Sequence, residues 1–134
     1  MGGHKVLVKA YEDASPENMR ALVEIMTYDK ARFAWPEPTR ARSRTALARP
    51  DHLRNYAEVL AHGAPIPVKV DRDTMPMMLI HGMHDRVLHY ETSLWLLANN
   101  PDARPVLPSL SGHGAMIERA AECNRLVIDF LSHS

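Results

Sequence analysis

The sequence contains little that would point to a secreted, membrane-bound or nucleic-acid-binding protein. Cys123 is its only cysteine, so no internal disulfide can form, and residues 1–5 lack the apolar core of a signal peptide. Sixteen basic side chains balance sixteen acidic ones, which leaves no net charge to hold a phosphate backbone or an anionic bilayer. No apolar run approaches the roughly 20 residues that cross a bilayer. A soluble cytoplasmic domain is predicted, with neither nucleic acid nor a membrane as its partner.

The sequence also lacks a Gly-x-Ser-x-Gly segment, the strand-to-helix turn that exposes a serine nucleophile. Two segments nevertheless suit the partners of such a serine. The apolar run at residues 77–80 ends in a glycine-containing turn with Asp85, and a second short run ends in Gly112 and His113. A carboxylate and an imidazole on neighbouring loops are two of the three members of a nucleophile-His-acid triad. The sequence therefore predicts the back half of an enzyme, with no cofactor and no metal.

Residues 1–70 carry helix signals without strands between them. Ser15 and Pro16 are typical of a helix start, because the serine can cap the first turn and the proline suits its first position. Apolar residues that follow at helical spacing share one face: Met19, Leu22, Val23 and Met26. Two further helices are predicted, one over about residues 36–49 and one from residue 50 to Gly63. This part is interpreted as a helical lid or cap.

Residues 71–134 change to the order strand, helix, strand, helix. Short apolar runs at residues 76–81 and 103–108 suit buried parallel strands, and helical spacing follows at residues 91–100 and 118–131. The predicted apolar faces of these helices are Leu94, Leu97 and Ala98 on the first, and Cys123, Leu126, Val127, Phe130 and Leu131 on the second. The order predicts an α/β sheet whose functional groups collect at the carboxyl ends of the strands.

Two parallel strands cannot form a stable sheet alone, because their edges and an apolar face would remain exposed. The sheet is therefore predicted to be incomplete within this sequence. The remaining strands are expected either from residues upstream of Met1 in the same enzyme or from another chain that docks there, including a second copy.

The same residues allow plainer interpretations. Asp85 could be a turn residue that pairs with Arg86, and His113 could simply follow a glycine in a loop. Crowding of histidines around Asp85 could suggest a metal site, but the spacing of His81, His84 and His89 does not match a helical metalloprotease motif. Cys123 lies on the predicted apolar face of the last helix, which favours a buried structural thiol over a nucleophile.

The chain resembles the C-terminal part of the α/β-hydrolase fold, and specifically the meta-cleavage-product hydrolases of aromatic degradation. The resemblance is dense from about residue 76 onwards, at residues 80–87 (IHGMHDRV), 94–97 (LWLL), 100–103 (NPDA), 112–113 (GH), 118–120 (ERA) and 124–131 (NRLVIDFL). It extends to the family's lid helices, at residues 5–11 (KVLVKAY), 28–29 (YD), 42 (R) and 49–55 (RPDHLRN). The resemblance thus implies a lid at residues 1–70 and the last two β-α units of the core at residues 71–134.

The resemblance implies hydrolysis of a carbon–carbon bond in a ring-fission dienoate, a small-molecule substrate. In that family the substrate's dienol carboxylate ketonises, water adds to the distant carbonyl, and two carboxylic acids leave. Asp85 would be the triad acid and His113 the base. Arg42 matches the lid arginine that binds the substrate's carboxylate, a role that suits the fork of a guanidinium group. Gly114 would face the substrate where the family usually has a tryptophan.

Several alternatives stay open. The Asp and His placement is shared across the superfamily, so another α/β hydrolase such as an esterase is one of them. Arg42 could be a solvated charge beside Arg40 and Arg44. The chain could also be a catalytically inactive fragment or an interaction module. Because the nucleophile elbow lies outside this sequence, the chain alone is expected to be inactive.

Overall fold

A computed structural model describes residues 2–34, 36–62, 76–100 and 102–133. The predicted boundary between residues 70 and 71 lies outside these described residues. The helices that precede the boundary are α1 Gly3–Glu12, α2 Pro16–Met26, α3 Lys30–Phe33, α4 Pro36–Leu47 and α5 Pro50–His62. The three helices predicted from residue 15 onwards are confirmed, with bounds shifted by two residues or fewer where the prediction gave them.

Local side-chain hydrogen bonds start two of these helices. The Ser15 hydroxyl accepts from the Asn18 amide at 3.4 Å at the start of α2, and the Asp29 carboxylate accepts from the Arg32 amide at 3.1 Å at the start of α3. Both bonds satisfy amides that have no partner inside the helix. The predicted cap at Ser15 is confirmed, whereas the short helix α3 has no apolar periodicity by which the sequence could have predicted it.

The helical part is built around a small apolar core. Its fully buried members are Ala10, Ala14, Met19 and Leu22. Partly buried side chains from α1, α2, α4 and α5 pack against them, namely Leu7, Tyr11, Ile25, Met26, Ala46 and Leu53. Burying such side chains removes apolar area from water, and each Å² so buried stabilises the folded state by about 25 cal/mol. This burial is the main stabilising contribution in the helical part. Helix α2 therefore lies at the centre of this part of the molecule.

The remaining described residues form a β-α-β-α unit. Strands β1 Met78–Ile80 and β2 Arg104–Val106 pair in parallel, with Met78 opposite Arg104 and Ile80 opposite Val106. Helix α6 Glu91–Asn99 crosses between them, and α7 Ala115–Glu118 and α8 Ala120–Ser132 follow. The predicted α/β order is confirmed. The strands are shorter than predicted, and the predicted helix over residues 118–131 is two helices that meet at Arg119.

Cys123 is buried as predicted, and the apolar faces of α6 and α8 stay largely exposed among the described residues, as expected of an incomplete sheet. Ser93 is the buried residue of α6, whereas Leu94 is 45% exposed; on α8 Cys123 is buried, whereas Leu131 is 71% exposed. A sheet of two strands is too narrow to cover the apolar faces of both helices. Among the described residues, no helix has the length and apolar character needed to cross a membrane.

Candidate active site

The two loops that follow the strands lie side by side at the carboxyl end of the sheet. Backbone hydrogen bonds extend the strand pairing into them, from the His81 amide to Val106 O at 3.0 Å and from the His84 amide to Ser111 O at 2.9 Å. A Cβ on Gly82 would overlap the carbonyl oxygen of Gly112, so the close approach of the loops requires glycine there. The loops that carry Asp85 and His113 are thereby fixed relative to each other.

Asp85 and His113 are in direct contact. The Nδ1 atom of His113 lies 2.9 Å from Oδ2 of Asp85, whose side chain is only 4% exposed. A carboxylate can only accept here, so Nδ1 carries the hydrogen and Nε2 of the neutral ring is left as an acceptor. The other oxygen, Oδ1, accepts from the amides of Val87 at 2.8 Å and Leu88 at 3.0 Å. The backbone thus holds the carboxylate in the orientation that the imidazole needs.

Part of the plainer interpretation of Asp85 holds as well. Its Oδ1 bonds are those of a turn residue, as that interpretation expected. The expected pairing with Arg86 is not what the structure shows, because the Arg86 guanidinium donates to the carbonyls of Glu24 at 2.6 Å and Thr27 at 3.3 Å. The acid loop is therefore anchored to the end of α2 through Arg86.

A cavity of about 310 Å³ opens beside the pair. The His113 side chain is 34% exposed, so a reacting group can reach its ring while Asp85 stays buried. The residues that line the cavity around the pair include Leu88, Met116, Cys123, Asn124 and Val127. An accessible imidazole backed by a buried carboxylate is the arrangement of a general base in acyl transfer and hydrolysis.

His81 is a second histidine on the same carboxylate, and sequence reasoning did not assign it this position. Its Nε2 lies 2.9 Å from the Leu88 carbonyl and 3.3 Å from Asp85 Oδ2, so Nε2 carries a hydrogen. Its Nδ1 lies 2.8 Å from the Ser93 hydroxyl, which donates to it when the ring is neutral. The spacing of four residues between His81 and Asp85 was visible in the sequence, whereas the partners on α6 and at Leu88 were not.

Glu118 is the other site residue to which sequence reasoning gave no role. The residue is 9% exposed. Its Oε1 accepts from the Gly112 amide at 2.7 Å, and its Oε2 accepts from the amides of Tyr28 at 2.8 Å and Asp29 at 3.0 Å. A buried carboxylate that accepts three charge-assisted hydrogen bonds from backbone amides strongly stabilises the segments that carry those amides. It joins the loop of His113 to the segment that follows α2.

The structure does not bring Arg42 into contact with Asp85 or His113. Arg42 lies half-buried on α4, and within the described ranges its side chain has no hydrogen bond or ion pair. Gly114 lies beside His113 as the residue that precedes α7, and a Cβ there would meet no atom closer than 3.8 Å. A Cβ at Gly114 would thus be in ordinary van der Waals contact with the Ile117 side chain, without a clash.

The hydroxyl and thiol groups close to the pair have other partners. The Ser111 hydroxyl donates to Pro108 O at 2.8 Å, and the Cys123 thiol donates to Ala115 O at 3.5 Å. Burial, with a smaller contribution from the negative charge of Glu122, raises the pKa of Cys123, which favours an unreactive protonated thiol. In the described parts of the chain, no three His, Cys, Asp or Glu side chains cluster as metal ligands would.

The chain is similar in sequence to hydrolases of hydroxy-oxo-dienoates. It is 35% identical over 97% of its length to a 2-hydroxy-6-oxononadienedioate/2-hydroxy-6-oxononatrienedioate hydrolase of Pseudomonas sp., of which it covers 47%. It is 31% identical over 98% of its length to the enzyme of the same name from Cupriavidus pinatubonensis, of which it covers 46%. The chain spans about half the length of the curated relatives it matches. No family model matches it.

Solved structures agree with this relation. The meta-cleavage product hydrolase of Pseudomonas fluorescens IP01 superimposes with a TM-score of 0.71 at 28% identity, over 88% of this chain and 46% of that one. The 2-hydroxy-6-oxo-6-phenylhexa-2,4-dienoate hydrolase of Rhodococcus sp. strain RHA1 gives 0.77 at 22% identity, over 97% and 49%, which shows the shared fold. By sequence and by fold, the chain is therefore similar to the meta-cleavage product hydrolases over about half of their length, and it has part of an α/β-hydrolase fold, as the resemblance predicted.

Proposed function

We propose that this chain supplies the acid and the base of a hydrolase that cleaves a carbon–carbon bond in a meta-ring-fission dienoate. Asp85 is the triad acid, His113 is the base, and a serine outside the 134 residues is the nucleophile. The observation that carries the proposal is the 2.9 Å hydrogen bond from His113 Nδ1 to a buried Asp85 oxygen, beside an open cavity. This contact leaves His113 Nε2 free to take a proton from the serine and return it to the leaving group.

The proposed substrate class comes from the names of the relatives, which act on hydroxy-oxo-dienoates. Arg42 is the proposed ligand of the substrate's carboxylate, since a guanidinium group binds a carboxylate through two parallel hydrogen bonds. The Arg42 guanidinium has no hydrogen bond to the described residues, so its donors are available for that role. Gly114 has no side chain, so it would leave more room for the substrate than a tryptophan at this position would.

The proposed architecture is a lid at residues 1–70 on a core part at residues 71–134. The nucleophile, the oxyanion donors and the remaining strands would come from a polypeptide equivalent to the other half of the relatives. The exposed Leu94, Ile128 and Leu131 support this, because additional strands and helices would cover them. The buried, unpaired Cys123 supports a reducing cytoplasm as the compartment.

Reconstitution from two halves tests the proposal. The 134-residue chain is co-expressed with the N-terminal half of the Pseudomonas sp. relative, and the loss of the dienoate's absorbance is followed. We expect turnover by the pair, no turnover by either half alone, and a loss of about 10³-fold or more with His113→Ala. His133→Ala removes a solvent-exposed imidazole near the end of the chain and serves as the matched control.

A folded pair that turns over the dienoate equally well with His113→Ala would refute His113 as the base. Turnover of a nitrophenyl ester, without turnover of the dienoate, would instead favour the esterase alternative. A pair that assembles and hydrolyses neither substrate would favour the inactive-fragment interpretation.

A further inference from the structure

His113 lies between two glycines, and both of these neighbours are held against the end of α2. The Gly112 amide donates to Glu118 at 2.7 Å, and the Gly114 amide donates to the Met26 carbonyl at 3.4 Å. Gly112 also lies so close to α2 that an added Cβ would be 2.5 Å from the Met26 carbonyl oxygen. The position of the His113 backbone therefore depends on where α2 ends.

Glu118 connects this loop to the residues just beyond α2. One carboxylate oxygen accepts from Gly112, and the other accepts from Tyr28 and Asp29, so the side chain has a partner on each side. It lies five residues after His113, at the end of the short helix α7. A group with an acceptor oxygen at each end is needed here, because all three partners are backbone donors.

The loop of Asp85 uses the same anchor. The Arg86 guanidinium donates to the carbonyls of Glu24 and Thr27, and the rings of Tyr28 and His84 are in contact with their centroids 4.6 Å apart. The acid loop and the base loop are thus both tied to residues 24–29. A displacement of these residues would disturb the acid and the base together.

We propose that Glu118 is a positioning residue that makes the contact between His113 and Asp85 depend on the docking of residues 26–29. The inference rests on the proposed role of His113 as the base. In this arrangement the helical part of the chain controls whether the imidazole is held on its acid, through the bridge at Glu118.

Glu118→Gln breaks the bridge whichever way the new side chain turns. A carboxamide has one acceptor oxygen, so its amino group must face either Gly112 or the pair of amides at Tyr28 and Asp29. The size of the side chain is preserved while one end of the bridge is lost. Glu122→Gln makes the same change of charge at an exposed position on the next helix and is the matched control.

The test is hydrogen exchange and imidazole NMR on the full 134-residue chain. We expect Glu118→Gln to speed the exchange of the His113 Nδ1 hydrogen by about tenfold or more, because the ring leaves Asp85 more often. The Gly112 amide should exchange faster to a similar degree. Glu122→Gln should leave both rates within about twofold of the unmodified chain. The exchange rate of the Nδ1 hydrogen reports on His113 itself. If Glu118 only stabilised the loop backbone, this rate would not change.

Faster exchange at Gly112 with an unchanged His113 hydrogen would overturn the inference, since Glu118 would then hold only the loop backbone. If Glu118→Gln does not fold, amide exchange of the unmodified chain tests the inference instead. The amides of Gly112, Tyr28 and Asp29 should then open together, with protection factors within about threefold of one another. Independent opening of Gly112 would overturn the proposal.

These outcomes are separable from those of the proposed function. Reconstituted turnover that requires His113, combined with an unchanged His113 hydrogen in Glu118→Gln, would leave the function standing and remove the positioning role. If Glu118→Gln speeds the exchange of the His113 Nδ1 hydrogen but the reconstituted pair shows no turnover, the positioning role stands and the proposed function does not.

Discussion

At the scale of single residues, the two oxygens of Asp85 have different tasks. Oδ1 is held by the amides of Val87 and Leu88, and Oδ2 accepts from His113 and faces His81. The donors to Oδ1 are backbone amides, which cannot rotate away as a side chain could. The imidazole therefore meets a carboxylate that is already oriented. Removing the His113 ring would leave the buried Asp85 carboxylate with one hydrogen-bond partner fewer, which destabilises the fold. The two side chains therefore depend on each other energetically.

The close approach of Gly112 to α2 gives the first prediction. In Gly112→Ala the new Cβ would lie 2.5 Å from the Met26 carbonyl oxygen, a backbone atom that cannot turn away. We expect a loss of about 1–3 kcal/mol in the free energy of unfolding, measured by urea denaturation. Gly114→Ala is the matched control, because the nearest atom to its Cβ would be the Ile117 Cδ1 at 3.8 Å, an ordinary van der Waals contact. Equal stabilities of the two variants would contradict the packing described for this loop.

Residue-scale prediction from sequence succeeded where a chemical group follows a recognisable element. Asp85 and His113 each follow a short apolar run with a glycine, and this pattern, together with the family resemblance, predicted that they meet. Glu118 and His81 were not assigned their roles because most of their partners are backbone groups or side chains on other elements. Tyr28, for example, is 90 positions from Glu118, and no local pattern marks such a contact.

At the scale of elements, α2 supports both the core and the site. It buries Met19 and Leu22 on one face, and its end contacts the loops of Asp85 and His113 through Met26 and Thr27. Its start was predictable from Ser15 and Pro16, since capping is a local interaction. The role of its last turn was not predictable, because the loops that it contacts begin more than 50 positions later.

The core of the helical part gives the second prediction. Leu22 is fully buried in it, so Leu22→Ala should lower the free energy of unfolding by about 2–5 kcal/mol. Leu47→Ala removes the same atoms from a side chain that is 59% exposed and should change the stability by about 0.5 kcal/mol or less. Thermal or urea unfolding of both variants measures the difference. A similar cost at both positions would mean that α2 is not the centre of this core.

The faces of α6 and α8 show what helical spacing alone does not determine. Helical spacing identifies which residues share a face, but it does not say what covers that face. Leu94 and Val127 follow the expected spacing and are nevertheless exposed, at 45% and 38%. Burial depends on the width of the sheet, and that width is a property of the whole fold rather than of either helix.

At the scale of the whole molecule, large apolar side chains on α6 to α8 face solvent. Trp95, Ile117, Ile128 and Leu131 are each more than 60% exposed. Apolar surface of this kind is characteristic of faces that another chain or domain covers. The resemblance predicted the relation to α/β hydrolases correctly, because its motifs extend over nearly the whole chain, and the part of the fold that completes the sheet stays a proposal.

The exposed apolar side chains give the third prediction. We expect the 134-residue chain alone to self-associate, with a sedimentation coefficient that rises with protein concentration, since association removes these side chains from water. Replacing Ile128 and Leu131 with lysine should shift the population towards monomer. The same change at Leu47 and Val59, which are exposed on α4 and α5, should leave the association as it was. A monodisperse monomer of the unmodified chain would contradict the expectation.

The central claim is that Asp85 holds His113 with Nδ1 protonated and Nε2 free for a nucleophile, and imidazole NMR tests it most directly. In a long-range ¹H–¹⁵N spectrum of the histidine-labelled chain, we expect the neutral His113 ring to be the Nδ1–H tautomer. Asp85→Asn should abolish this preference, and Asp129→Asn, an exposed aspartate on α8, should not. A His113 ring found as the Nε2–H tautomer, or averaged between the two forms in the unmodified chain, would contradict the account.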